Sequence, residues 1–93
     1  MRYKLTAEEY EKIERLVGCA LSAINKAEAK RYIQQLHYIG SDLGGAANNI
    51  LHELISSMDR ASGQVQDRER LKYFAQMDLY KLNDFVEEDK PHD

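Results

Sequence analysis

Ninety-three residues, 43% of them hydrophobic and 31% charged, are enough for one folded domain and too few for two cores. Thirteen basic against sixteen acidic residues give a net charge of −3, which lacks the basic excess of a phosphate-backbone binder. No stretch approaches the ~18 consecutive apolar residues of a membrane span. The single cysteine, Cys19, has no partner for an internal disulfide, and MRYKLTAEEY carries no apolar signal region, so a cytoplasmic setting is expected.

The first helix is marked at its start. Thr6 is placed to cap it, Glu9 three residues on completes a capping box, and Leu5 and Tyr10 occupy the staple positions. Tyr10, Ile13, Val17, Ala20, Ile24 and Ala27 then recur at spacings of three and four, widened by Leu16 and Leu21. Asn25 is suited to end this helix and cap the next, with Glu28 at the capping-box position. The spacing therefore predicts helices over 7–24 and 26–39, the second carrying Ala29, Tyr32, Ile33, Leu36 and Ile39; one continuous rod over 7–39 is the alternative. After Gly40, Ser41 or Asp42 is the expected cap of a third helix bearing Leu43, Ala46, Ala47, Ile50, Leu51, Leu54 and Met58. Gly63 is the expected stop and 62–66 a loop. Asp67 then caps a fourth helix with Leu71, Phe74, Ala75, Leu79, Leu82, Phe85 and Val86 on one face, and residues 87–93 form an acidic tail that frays. The expected fold is all-α: one domain over 1–93, a small antiparallel helical bundle of three or four helices.

The run LHYIGSDLGGAANNI interrupts this pattern. Each helical glycine costs ~1 kcal/mol against alanine, so Gly40, Gly44 and Gly45 weaken any helix that holds all three. A turn near Gly40, followed by a thin helix start pressed on a neighbour, accounts for them, and these three residues are expected to form a hinge or close packing point. His37 lies at the rim of its helix's apolar stripe, ~100° from Leu36. The run His37-Tyr38-Ile39-Gly40-Ser41 resembles the histidine phosphotransfer domains of two-component signalling, four-helix bundles in which an exposed histidine precedes an aliphatic residue, a lysine and small residues. The resemblance implies a signalling module that accepts a phosphoryl group on His37, although no lysine follows Ile39 to hold that group. Arg31 and His37, six apart, also match the loose arginine-to-histidine spacing of the helical HEPN ribonucleases.

Other chemistry is weakly signalled. His37 and His52 could meet across a helix pair beside Glu53, but neither His-Glu-x-x-His nor Glu-x-x-His occurs, so no metal site is expected. Cys19 has no sequence neighbour that would make it a thiolate. No phosphate loop, dinucleotide fingerprint or nucleophile elbow is present, and no cofactor is expected. Lys26, Lys30 and Arg31, and Arg68, Arg70 and Lys72, are interleaved with Glu28, Asp67 and Glu69, the pattern of solvated helix faces rather than of a nucleic-acid stripe.

The fourth helix carries a second line. Tyr73, Met77 and Tyr80, spaced by four and three, fall opposite its apolar stripe. Tyrosine and methionine are favoured at protein interfaces, where rigid amphipathic rings and a pliable thioether bury area at little entropic cost. A core broad enough to cover both sides of the helix is the alternative. The sequence thus points to a non-catalytic protein-binding regulator or inhibitor acting through a helical face. Its expected partners are a second copy of itself or another protein.

Overall fold

The computed structural model describes residues 2–61 and 68–87. Among them are four helices: α1 (Ala7–Leu21), α2 (Lys26–Ile39), α3 (Gly45–Ala61) and α4 (Arg68–Asn83). The only extended pairings among the described residues are two isolated parallel bridges, Arg2 with Leu43 and Leu5 with Val86. The fold is an all-α helical bundle. The expected loop over 62–66 with its stop at Gly63, the Asp67 cap, and the tail from residue 88 onward lie outside the described residues.

α1 begins where its capping box sits. Thr6 accepts a hydrogen bond from the Glu9 amide at 3.1 Å, and Glu9 accepts one from the Thr6 amide at 3.0 Å. The helix ends at Leu21 rather than 24, which leaves Ile24 87% exposed in the connection while Ala23 is buried. α2 starts after Asn25, whose side chain accepts from the Glu28 amide at 2.9 Å. Glu28 reaches back past the cap to the Ile24 amide at 3.0 Å, so the second half of the expected capping box is displaced by one residue.

α1 and α2 form one antiparallel hairpin, and α3 and α4 form another. The hairpins meet near their open ends. The Tyr10 hydroxyl in the first turn of α1 donates to the Leu79 carbonyl in α4 at 2.9 Å. The end of α2 packs against the middle of α3, with the His37 and His52 rings edge to face at 6.3 Å. The molecule measures 48 × 23 × 19 Å. Its longest helix, α3 with 17 residues, spans only ~25 Å at 1.5 Å per residue, so the hairpins overlap only in part along the long axis.

One core nonetheless runs through both. Ile13, Leu16, Val17, Ile33 and Leu36 of the first hairpin join Ala47, Leu51, Leu54, Ile55, Met58, Ala75 and Leu82 of the second. Leu5 and Leu43, outside the helices, complete it.

The junction is closed by residues 2–5, a short strap that bends at Tyr3 and Lys4 between its two bridge residues. The Arg2 amide donates to the Asp42 carbonyl at 2.9 Å, and the Gly44 amide donates to the Arg2 carbonyl at 2.6 Å. The Leu5 amide then donates to the Phe85 carbonyl at 2.8 Å, and the Glu87 amide donates to the Leu5 carbonyl at 2.7 Å. Leu5 is fully buried between these attachments. Glu87, assigned from the sequence to the frayed tail, is thus held by the strap: its amide finds an acceptor even though its side chain is exposed.

The Arg2 side chain adds a charged clamp. Nη1 and Nη2 donate to the two Glu9 oxygens at 2.6 and 2.8 Å, while Nε and Nη2 donate to the two Asp42 oxygens, both at 2.8 Å. One guanidinium thus joins the start of α1 to the α2–α3 turn through two bidentate pairs, the geometry to which its planar fork is suited.

The hydrogen bonds from Arg2 hold the Glu9 and Asp42 carboxyls below their ordinary values. A depressed carboxyl contributes stability that is present above the unfolded value, ~4, and is lost as pH falls through the lowered one. Arg2→Met should therefore lower Tm by ~5 °C at pH 7, with the gap to the wild-type protein closing below about pH 4, as followed by circular dichroism.

Candidate functional site

α4 has two lines of residues at heptad spacing. The inward line is Leu71, Ala75, Asp78, Leu82 and Phe85, all buried or half-buried. The outward line holds Tyr73, Met77 and Tyr80, which are 61, 43 and 78% exposed. These three share one face and, with Gln76 and Lys81, line a shallow concavity of about 270 Å³. Phe74, expected in the core, is 47% exposed and sets its ring against Tyr73 at 5.9 Å. Its place on the helix is intermediate between the two lines, so it widens the outward apolar face. Among the described residues no broader core covers Tyr73, Met77 and Tyr80.

Asp78 is the residue that sequence reasoning missed. It sits on the inward line, 6% exposed, where an apolar side chain would be expected from spacing alone. Burial pushes its carboxyl above the ordinary range; the charge of Glu53 on α3 adds to the rise and that of Lys81 opposes it. The sequence signal was present, since Asp78 lies three residues after Ala75 and four before Leu82, in register with the core.

The three glycines occupy the junction between the hairpins. The expected cap of α3 at Ser41 or Asp42 does not form: α3 begins at Gly45, Asp42 is taken by Arg2, and Leu43 is buried in the turn. A Cβ at Gly40 would stand 2.5 Å from Cδ2 of Leu51, so the end of α2 can approach α3 only with no side chain there. Gly45 has φ +70°, a conformation in which a Cβ is strained, and a Cβ there would also lie 2.9 Å from the Tyr3 ring. Gly44 is buried beneath the strap, donating its amide to Arg2. The close neighbours at this point are Leu51 and the strap itself.

His37 is exposed on α2, and its ring neighbour is His52 of α3. Arg31, exposed on the same helix, borders a polar groove with Asn25, Glu28, Tyr32 and Gln35 in which His37 takes no part. The structure therefore does not gather Arg31 and His37 into one lined site. Among the described residues no group of three or more histidines, cysteines or acids is placed to hold a metal ion, and no helix is long and apolar enough to cross a membrane. Cys19 is half-buried and free. No family model matches the chain, and no curated protein or solved structure does either.

Two measurements follow from these environments. A carboxyl raised by folding leaves the native state most stable on the acid side and weakens it as pH rises through the raised value. Asp78→Asn should therefore raise Tm at pH 7, by ~4–8 °C for each kcal/mol relieved, and give no gain near pH 4. Gly40→Ala should destabilise by ~1–3 kcal/mol through overpacking. Combined with Leu51→Ala its cost should shrink, and strictly additive losses in a denaturant double-mutant cycle would contradict the contact.

Proposed function

We propose that the protein is a non-catalytic protein-binding module, a regulator or inhibitor acting through the outward face of α4 as a homodimer in a reducing, cytoplasmic setting. The observation that carries this reading is the exposure of Tyr73, Met77 and Tyr80 in register on one helix face, joined by Phe74. A large apolar side chain gains ~1.5–3 kcal/mol when fully removed from water, and isolated exposed ones are ordinary; four adjoining ones form a patch that a partner would cover. Two tyrosines and a methionine supply the rigid and pliable contact area favoured at such surfaces. The chain is also short enough that a second copy would add substantially to a modest core. C2 pairing of one face with itself is the commonest such arrangement.

Tyr73→Glu with Tyr80→Glu tests the surface. The double variant should keep its helical circular dichroism and Tm within a few degrees, because both side chains lie outside the core. It should lose self-association in sedimentation velocity and lose any partner retained by the wild-type bait. Loss of folding would make the strip internal, and unchanged association would make it idle surface; either result removes the proposal.

A further inference from the structure

The outward line of α4 extends beyond the tyrosines. Arg70, Tyr73, Met77, Tyr80 and Asp84 follow one another at spacings of three, four, three and four, the repeat of a coiled-coil seam. All five are exposed. Asp84 lies just past the last helical residue, but its amide still donates to the Lys81 carbonyl at 3.2 Å, so the chain continues to wind through that position. The seam therefore has a cation at one end, an anion at the other, and three large apolar-bodied side chains between. Arg70 and Asp84 stand seven residues to either side of Met77.

We propose that the occupant of this face is the α4 of a second copy, running antiparallel, with the two-fold axis beside Met77. The inference rests on the reading of the α4 face as a binding surface and specifies its partner. Charge decides the direction. In a parallel pair Arg70 would face Arg70 and Asp84 would face Asp84, placing like charges at both ends of a seam only ~21 Å long. An antiparallel pair sets each Arg70 near the Asp84 of the other copy and leaves the two tyrosines and Met77 to interdigitate at the centre. The flanking positions agree with this direction. Glu69 and Asn83 lie on one side of the seam and Phe74 and Lys81 on the other, so antiparallel pairing brings Glu69 toward Asn83 and Phe74 toward Lys81, with no like-charge contact. The Arg70 guanidinium and the Lys81 ammonium also gain tyrosine or phenylalanine faces to lie against.

The test is a charge swap read by sedimentation equilibrium at low ionic strength, where exposed pairs are least screened. Arg70→Glu alone and Asp84→Lys alone should each raise the dimer dissociation constant by about tenfold, since each variant places two like-charge pairs across the two-fold. Mixing the two single variants should restore association as a heterodimer within about threefold of the wild-type value, because each mismatched end then meets its complement. The variant carrying both changes should recover likewise. If the tyrosine double variant abolishes the dimer but neither single reversal weakens it, the antiparallel seam is wrong while α4 stands as the binding face. If the dimer persists with Tyr73 and Tyr80 replaced by glutamate, both readings fall. A wild-type chain that stays monomeric up to several hundred micromolar overturns the self-pairing and leaves the surface to a different protein.

Discussion

The four backbone hydrogen bonds made by residues 2–5 hold the two hairpins in one molecule. Each hairpin buries its own inner face, but the two overlap only in part along a 48 Å axis, so the surface they share directly is limited. The strap lies across that junction. It pairs on one side with the turn that follows α2 and on the other with the chain that follows α4, and it places the fully buried Leu5 between them. Net gains of ~0.5–1.5 kcal/mol per hydrogen bond, added to the burial of one leucine, are a large fraction of what a domain this small commands. The Arg2 clamp reinforces the same joint from the outside, where solvent screens it, so the apolar and backbone contacts carry more of the load than the charges do.

The helices were legible in the sequence to within a few residues because their signals are local. Thr6 with Glu9, and Asn25 before Glu28, state their own chemistry within a single turn, and the stripes of α1 and α2 repeat often enough to define a face. The strap was not legible. Four residues hold no periodicity, and the partners of Arg2 and Leu5 are distant positions with no pattern relating them. That omission propagated. Without Arg2 to claim it, Asp42 reads as a helix cap, and without the strap the glycines after it read as a thin helix start pressed on a neighbour that the sequence does not identify. Ile24 fell outside α1 for a related reason: the cap at Asn25 requires extended backbone just where the apolar spacing would have continued.

The candidate surface was legible as a pattern, and its exposure was not. Heptad spacing places Tyr73, Met77 and Tyr80 on one side of α4, but spacing alone cannot tell a helix wedged between two neighbours from one with an open flank. The fold settles exposure because α4 packs chiefly on α3, with α1 touching it near one end. Asp78 marks the cost of reading faces by hydropathy: the inward line of α4 holds one carboxyl among apolar side chains, while its outward line exposes Tyr73, Met77 and Tyr80.

The strap also imposes an order of assembly on a growing chain. Residues 2–5 are synthesised before any of their partners, one set of which is made at 42–44 and the other only at 85–87. Hairpin α1–α2 can dock its half of the strap as soon as the turn after α2 has emerged, closing a span about half as long as that of the second attachment. The second attachment must wait for nearly the whole of the described chain, and it closes the longest loop in the molecule. Until then the Leu5 amide and carbonyl, and the cleft that Leu5 fills, stay open to water. The first attachment of the strap can therefore form at about half the chain length that the second requires. Transient opening of the finished fold should proceed through the same seam in reverse, releasing α3 and α4 from the strap before the capped first hairpin comes apart.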